Sequence, residues 1–273
     1  MTNSTAHNRR FEPTRLRRTV LDMAYSGSTV HIGCAFSIIE LLSVLYRDHL
    51  HYSDNDPLAE HRDYLVLSKG HGVMAQYACM HELGWISDEQ IKDYFSDGTE
   101  LKGLSDSRVP GLEVTSGSLG HGLPVAVGLA IAAKRKGTDQ KVYAIIGDGE
   151  ANEGTIWEAL LLANHHHLDN LLLIVDKNGF QAMGTTEEVV TLGNLKAKLE
   201  AFGLDCAKVD GHDEAQISAA VIRAWGAPNG IPKAIIAQTT KGKGVSFMEG
   251  DNRWHYMRLT AESYAMAISE LNS

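Results

Sequence analysis

The sequence predicts an α/β fold: a mostly parallel sheet with helices on both faces. Short runs of aliphatic or β-branched residues alternate with longer segments whose apolar residues recur at helical spacing. That alternation is typical of chains in which each strand is followed by a helix that packs on the sheet. No repeat, low-complexity tract or proline-rich linker interrupts the chain, so we expect one domain over 1–273, with 1–50 as a helical lead-in.

The elements follow from these patterns. The short aliphatic runs predict buried strands at Tyr64–Leu67, Val142–Ile146, Leu171–Val175 and Ala234–Ala237. Helical spacing predicts helices at Arg15–Tyr25, Ser37–His49, Val73–Leu83, Pro124–Lys136, Thr155–His166, Ala215–Trp225 and Ala261–Leu271. Ser37 is the predicted N-cap of its helix. Parallel sheets bind ligands beyond the carboxyl ends of their strands, so the loops there are where chemistry is expected.

Charge and composition exclude several functions. The net charge of −9 argues against broad nucleic-acid binding, which needs a basic excess or patch. The basic run near the start is interpreted as a solvated helix face; its members are Arg9, Arg10, Arg15, Arg17 and Arg18. No long apolar run predicts a membrane span, and the first ten residues lack the apolar stretch of a secretory signal. Three widely spaced cysteines indicate neither a disulfide framework nor a metal motif, so a reducing cytoplasm is expected.

The segment 144–154, AIIGDGEANEG, carries the strongest chemical signal. A buried strand leads directly into Gly147, Asp148 and Gly149 before a helix begins. The two glycines allow a sharp turn and a close approach to phosphate, and the helix start offers free N–H groups to an anion. The carboxylate of Asp148 suits a hard cation such as Mg²⁺ that bridges protein and diphosphate.

A second polar loop follows the strand Leu171–Val175, where Asp176, Lys177, Asn178 and Gly179 occur in succession. If the two strands are neighbours, Asp148 and Asn178 reach the same edge of the sheet. Two ordinary strand-to-helix turns would show a similar pattern, but the joint spacing favours a diphosphate and metal site.

Three of the thirteen histidines lie in loops that the sheet places near this edge. His31 lies in a small-residue turn between two helices, His71 follows the first strand, and His255 follows the last one. Neutral histidine relays protons to and from hydroxyl groups near pH 7. Each alone is equally well interpreted as a hydrogen-bonded loop residue; their placement together favours a site.

The glycine-rich segment 114–122, VTSGSLGHG, is the remaining signal. Gly117 allows a flat ring to lie against the backbone, and Leu119 can pack on the face of that ring. A glycine-rich helix start before Pro124 is the structural alternative.

Taken together, these segments resemble the thiamine-diphosphate motif, and the chain as a whole resembles the N-terminal half of a transketolase, with a thiamine-diphosphate-binding fold. The resemblance implies that Asp148, the side chain of Asn178 and the carbonyl of Phe180 bind Mg²⁺, with Ca²⁺ or Mn²⁺ as alternatives. It also implies that the cofactor is bound by eight residues, of which Asp148 and Asn178 are metal ligands as well: His71, Gly117, Leu119, Gly147, Asp148, Gly149, Glu153 and Asn178. Catalytic roles fall to His31, His71, His255 and Glu153, the last linking paired active sites.

The resemblance also implies a partner. In the family, the glutamate that activates the cofactor and most groups that bind the anionic end of the sugar belong to the second half of the enzyme. We therefore expect a separate C-terminal subunit in an α2β2 assembly, with a ketose donor and an aldose acceptor that end in phosphate, sulfonate or neither. One departure stands out: a histidine of the family is replaced by Leu104, which puts the donor preference in question.

Two other functions are consistent with the same motifs. One is a thiamine enzyme of the deoxyxylulose-phosphate synthase or 2-oxoacid type, which the loss of the histidine at Leu104 slightly favours. The other is a catalytically silent subunit that only regulates a partner. A silent subunit would have no physical need to keep His31, Asp148, Glu153 and Asn178.

Overall fold

A five-stranded, entirely parallel sheet lies at the centre of the computed structural model, which describes residues 10–53, 55–226 and 228–272. The strand order is β1-β2-β3-β5-β4. The strands are β1 Tyr64–Leu67, β2 Val142–Gly147, β3 Leu171–Lys177, β4 Asp205–Asp210 and β5 Lys233–Gln238. The mostly parallel sheet predicted from the sequence is confirmed.

The described residues form eleven α-helices: α1 Pro13–Ser26, α2 Ile32–Phe36, α3 Ile39–Val44, α4 Val73–Glu82, α5 Asp88–Lys92, α6 Gly122–Lys136, α7 Gly154–His165, α8 Thr186–Val189, α9 Leu195–Ala201, α10 Glu214–Ala224 and α11 Ala261–Leu271. Seven of them follow the predicted order, whereas the short helices α2, α5, α8 and α9 were not predicted. Short 3₁₀ turns span Gly70–Gly72, Gly149–Asn152 and Asn252–His255, and a π-helical turn, Leu45–His49, follows α3. Within the described residues, no helix is long and apolar enough to cross a membrane.

The two faces of the sheet are covered by different helices. Tyr143 and Ile145 of β2 belong to a core with α1 to α4, α10 and α11. The alternate residues Ala144 and Ile146 belong to a second core with α6, α7 and α9. Side chains alternate between the faces of a strand, so a strand buried on both sides is apolar over its buried length, as β2 and the segment 171–175 of β3 are. Helices on both faces are thereby confirmed.

Strand β4 was not predicted. It lies at the edge of the sheet and pairs only with β5. Its sequence, DCAKVD, has no aliphatic run, and only Cys206 and Val209 are buried. An edge strand with few core contacts needs little apolar character, so the periodicity is too weak to identify it.

The predicted helix Ser37–His49 is wrong in its start and its cap. Ser37 follows the end of α2, and α3 begins only at Ile39. The Ser37 hydroxyl donates to the carbonyl of Cys34 at 3.1 Å and to the carboxylate of Asp176 at 2.8 Å. Ser37 therefore serves a contact with β3 that local sequence does not reveal.

The solvated face predicted for the N-terminal arginines is wrong for Arg17. Its side chain is buried, forms an ion pair with Glu40 at 2.7 Å and donates from Nε to the carbonyl of Lys243 at 2.6 Å. Arg15 and Arg18 are exposed as expected, and Arg9 lies outside the described residues. Arg17 instead ties α1 to α3 and to the loop after β5.

Candidate active site

A cavity of about 540 Å³ opens at the carboxyl ends of β1, β2, β3 and β5. All the site residues predicted from the sequence line it: His31, His71, Gly117, Leu119, Gly147, Asp148, Gly149, Glu153, Asn178, Phe180 and His255. The parallel register explains the convergence, since β2 and β3 pair at Gly147 and Asp176, so their following loops leave the sheet side by side.

Asp148 is held rigidly at the end of β2. Its carboxylate accepts hydrogen bonds from the amides of Gly149 at 2.9 Å and Gly179 at 2.7 Å, and its side chain is almost fully buried. Burial, and then the neighbouring Asp176 carboxylate, raise the pKa of Asp148 to about 6. A buried carboxylate beside a second one makes a site that favours a cation.

Asn178 is oriented by the carboxylate of Asp176. Its amide Nδ2 donates to Asp176 Oδ2 at 3.0 Å, and its Oδ1 accepts from the amide of Phe180 at 3.0 Å. The two bonds settle which end of the amide carries the oxygen and keep that oxygen beside the turn to Phe180.

Asp176 is the centre of a buried polar network. It is fully buried and accepts hydrogen bonds from Lys69, Ser37, Thr239 and Asn178. Burial alone would raise its pKa, but the Lys69 ammonium and the hydroxyl donors outweigh burial and lower the pKa. Lys69 is also fully buried and donates to the carbonyl of Cys34 at 3.0 Å. This network joins β1, α2 and β3 under the cavity.

The donor set fits Mg²⁺ better than a softer metal. Among the described residues, no three side chains of His, Cys, Asp or Glu are grouped to hold a metal ion. The residues that line the cavity include Asp148, Asn178 and Phe180, which carry carboxylate, amide and main-chain oxygens. Oxygen ligands of this kind suit a hard cation that keeps several water molecules.

The three histidines that line the cavity form a cluster. The ring centroid of His31 lies 5.5 Å from that of His71 and 5.2 Å from that of His255, and the last two are 5.6 Å apart. His31 has a positive φ of 72° and donates its amide to the carbonyl of His255 at 3.0 Å. A strained backbone held by a distant loop is typical of a functional site.

All three imidazoles are neutral at physiological pH. Burial and then Lys241 lower the pKa of His31 to about 4 and that of His255 to about 3, while burial and then Lys69 lower the pKa of His71 well below its usual value. Lys241 Nζ lies 2.9 Å from His255 Nδ1. The ammonium can only donate, so Nδ1 accepts and the hydrogen of His255 is on Nε2.

Gly117 and Gly149 allow close approach at two points of the cavity. Gly117 has a φ of 147°, and a Cβ there would lie 2.7 Å from Leu104 Cδ1. A Cβ at Gly149 would lie 2.9 Å from Gln181 Cγ. At both positions an added Cβ would force a neighbouring side chain to move, and the positive φ of Gly117 itself disfavours a side chain.

Of the two acidic residues after the glycine turn, only one is buried. Glu150 is almost fully buried and accepts from the amides of Gly120 at 2.8 Å and Gly147 at 3.2 Å, so it ties the glycine-rich segment to β2. Glu153 is exposed at the rim of the cavity, where α7 begins. Glu153 is thus placed to meet another molecule rather than this chain's core.

The lining residues that were missed from the sequence include three with long polar side chains, Lys69, Gln181 and Lys241. Gln181 Nε2 is buried with no hydrogen-bond partner among the described residues. Lys69 and Lys241 lie two and three residues beyond the ends of β1 and β5, the same signal that identified His71, so strand-end position could have found them. Gln181 had no such signal, because it reaches the cavity only through the turn after β3.

The comparisons with known proteins agree with this geometry. The family described as transketolase, thiamine diphosphate binding domain, matches residues 12–271. The chain therefore belongs to the transketolase family of transferases, in the part that binds thiamine diphosphate, and the resemblance inferred from the motifs is confirmed.

Among its relatives are two named subunits of similar length. The chain is 41% identical over 256 residues to an apulose-4-phosphate transketolase subunit of Phocaeicola vulgatus, covering 94% of this chain and 91% of the relative. It is 39% identical over 257 residues to a 6-deoxy-6-sulfo-D-fructose transketolase subunit of a Clostridium species, covering 94% of this chain and 93% of the relative.

Solved transketolases share the fold over a longer chain. The transketolase of Campylobacter jejuni superimposes with a TM-score of 0.89 and 31% identity, covering 99% of this chain but 43% of that one. The transketolase of Leishmania mexicana superimposes with a TM-score of 0.87 and 31% identity, covering 95% of this chain and 40% of that one. This chain thus corresponds to less than half of those enzymes.

Proposed function

We propose that this chain is the cofactor-binding subunit of a two-subunit transketolase, which transfers a two-carbon ketol unit from a ketose to an aldose with thiamine diphosphate and Mg²⁺. One observation carries the proposal: the oxygen donors of Asp148 and Asn178 line the same cavity as three neutral histidines. Oxygen donors suit a metal diphosphate, and neutral imidazoles suit the handling of hydroxyl protons.

The cofactor would be held at the ends of β2, β3 and β5. Asp148, Asn178 and the carbonyl of Phe180 would bind Mg²⁺, and Lys241 would place a cation beside the diphosphate. Gly147 and Gly149 would bring the backbone close to the phosphates of the cofactor. Gly117 and Leu119 would lie against its rings. When bound, thiamine diphosphate supplies the nucleophilic carbon that accepts the ketol unit.

The histidines would form hydrogen bonds with the sugar and exchange protons with its hydroxyl groups. His255 carries its hydrogen on Nε2 because Nδ1 accepts from Lys241, so it can donate to a substrate oxygen. His31 and His71 face the same space and, being neutral, can each accept a hydroxyl proton while donating from the other nitrogen. Burial, and then the Lys69 and Lys241 ammonium groups, lower the pKa of all three imidazoles and keep them neutral.

A second polypeptide would complete the site, and α2β2 is the assembly that closed symmetry favours. The rim of the cavity carries exposed apolar residues, Met183 at 82% and Val190 at 55% exposure, next to the exposed Glu153. Apolar side chains at the mouth of a site favour burial by a partner. Two relatives of similar length are named as subunits, which supports the same arrangement.

The substrate would be a sugar that carries an anionic group. One relative is named for a phosphorylated sugar and another for a sulfonated one.

A 2-oxoacid-dependent reaction is the second candidate, and Leu104 favours it. An aliphatic side chain lines the cavity beside Gly117 at the position of the family's histidine. The two-chain complex would be offered pyruvate and, separately, a ketose phosphate. Release of carbon dioxide from pyruvate but not from the ketose phosphate would identify this alternative. A purely regulatory role is opposed by the presence of His31, Asp148, Glu153 and Asn178 in the cavity.

The test is reconstitution. Ketol transfer would be assayed with this chain alone, with its partner alone and with both, in the presence of thiamine diphosphate and Mg²⁺. We expect activity only from the mixture. Substantial activity from this chain by itself, after host transketolase is excluded, would overturn the two-subunit proposal.

A further inference from the structure

The loop that carries Lys241, residues 239–243, fixes the tautomer of His255. Lys241 is almost fully buried, and its Nζ donates to Asn252 Oδ1 at 2.7 Å and to His255 Nδ1 at 2.9 Å. Because Nδ1 accepts, the hydrogen of the His255 ring is on Nε2. The position of Lys241 therefore decides which ring nitrogen of His255 can donate a proton.

Two bonds from outside the cavity hold the main chain on either side of Lys241. The amide of Thr240 donates to Nε2 of His212 at 2.8 Å, and the carbonyl of Lys243 accepts from Nε of Arg17 at 2.6 Å. Neither His212 nor Arg17, both of them described residues, lines the cavity. The loop is thus held by two side chains that lie outside the space open to a cofactor or substrate.

Glu40 of α3 joins these two side chains. Its carboxylate forms an ion pair with Arg17 at 2.7 Å and lies 2.9 Å from His212 Nδ1, and the three side chains are only 6–13% exposed. Burial alone would raise the pKa of Glu40, but the hydrogen bond from His212 and the charge of Arg17 lower it. The ionised carboxylate can only accept, so His212 donates from Nδ1 and its Nε2 is free to accept from Thr240.

We propose that the Arg17–Glu40–His212 triad is a positioning device for the reaction: it fixes the main chain around Lys241 and thereby holds His255 in the tautomer that donates from Nε2. This inference rests on the proposed function and deepens it, since it gives three residues outside the cavity a part in proton handling. A lysine ammonium sits on a flexible four-carbon stem, so it stays beside His255 only while its main chain is fixed. A buried polar network with every bond made supplies that rigidity.

The loop should survive the loss of the triad, because other bonds anchor it to the fold. The hydroxyl of Thr239 donates to Asp176 of β3, and the amide of Gly242 donates to the carbonyl of Gly33 at 3.1 Å. Removal of the acceptor for Thr240 should therefore loosen Lys241 without unfolding the chain. The inference can accordingly be tested by substitution.

Two substitutions of His212 separate its two bonds. An asparagine amide can reach the place of Nδ1 and donate to Glu40, but it leaves Thr240 without an acceptor. A glutamine oxygen can reach the place of Nε2 and accept from Thr240. His212→Asn and His212→Gln are thus a matched pair. His49→Asn is the control, because His49 is also half-buried and its ring bonds to Ser218 Oγ at 3.0 Å rather than to the loop.

The tautomer is measured by NMR of the full chain with ¹⁵N-labelled histidine, and His255→Gln assigns the ring signals. We expect wild type, His49→Asn and His212→Gln to show an unprotonated Nδ1 and a protonated Nε2 at His255. In His212→Asn the hydrogen should be shared between the two nitrogens, because Lys241 no longer holds Nδ1 as an acceptor. A kept tautomer in His212→Gln would show that the bond to Thr240 carries the effect.

Turnover is measured in the two-chain complex with thiamine diphosphate and Mg²⁺. His212→Asn should lower kcat for ketol transfer by about 10-fold to 100-fold, because the wrong tautomer presents an acceptor where a proton donor is needed. His212→Gln should lose less. Arg17→Lys keeps a cation beside Glu40 but lacks the second nitrogen that holds the Lys243 carbonyl, so it should shift the tautomer and kcat in the same direction.

Two results would overturn the inference. One is an unchanged tautomer of His255 in His212→Asn, or in Arg17→Lys if the first variant does not fold. The other is an equal loss of kcat and of unfolding free energy in both His212 variants, which would show that His212 serves only the fold. If the wild-type complex transfers no ketol unit, the proposed function fails separately, while the tautomer of His255 still decides the role of the triad.

Discussion

The carboxylate of Asp148, at the end of β2, accepts a hydrogen bond of 2.7 Å from the amide of Gly179, beyond the end of β3. This bond joins two loops that are distant in sequence and keeps a buried carboxylate next to Asn178. The position of the proposed metal site therefore depends on the parallel pairing of β2 with β3.

Removal of this carboxylate should abolish Mg²⁺-dependent cofactor binding. In Asp148→Ala the charge of the diphosphate would meet the protein without its bridging metal. Calorimetric titration of the two-chain complex with thiamine diphosphate and Mg²⁺ measures the effect. The exposed Asp97, in Asp97→Asn, is the control and should bind as the wild type does. Undiminished affinity in Asp148→Ala would remove the metal assignment.

The histidine cluster should remain neutral well below pH 6. His31, with its pKa lowered from 6.5 to about 4, binds fewer protons in the folded than in the unfolded chain. The free energy of unfolding therefore falls as the pH drops from about 6.5 towards 4, because proton binding and folding are linked. The His31 ring resonances should stay constant from pH 8 to 5 in NMR spectra. His31→Gln should lose less stability on acidification than wild type; titration of the ring near pH 6.5 would contradict this account.

The buried ion pair of Lys69 and Asp176 should be costly to break. Their side chains are 1% and 0% exposed, so Lys69→Met leaves a buried carboxylate without its cation. We expect a loss of about 3–5 kcal/mol in the free energy of unfolding, measured by urea denaturation. Lys196→Met is the control: its pair with Glu200 is 3.5 Å long and 40% and 48% exposed, so the change should be below about 1 kcal/mol. Similar values for the two variants would argue against a role for burial.

Gly117 should not tolerate alanine. Its φ of 147° disfavours an L side chain, and the new Cβ would collide with Leu104, so Gly117→Ala should cost about 1–3 kcal/mol and weaken cofactor affinity. Gly128 in α6 is the matched control, because a Cβ there meets no atom within 4 Å. Gly128→Ala should instead stabilise the chain by about 1 kcal/mol. Thermal melts and cofactor titrations of both variants separate the two outcomes.

Much of the fold followed from periodicity alone. Buried parallel strands such as β1 and β2 are apolar on both faces, and α11 shows helical spacing throughout, so these elements were predicted closely. The glycine turn around Asp148 and the loop of Asn178 followed from the same sequence patterns, because strand ends carry the ligands of such sheets. What the sequence determined was thus the order of strands and helices and most of the residues at their ends.

Other features depended on contacts between distant segments, which local patterns do not contain. The edge strand β4 is defined by its pairing with β5, and Ser37 by its bond to Asp176 rather than by a helix start. The neutral state of His31 and His255 and the tautomer of His255 depend on Lys241, which reaches them only in the folded chain. Burial and charge proximity are properties of the packed structure, so only the tertiary structure decided the electrostatics of the site.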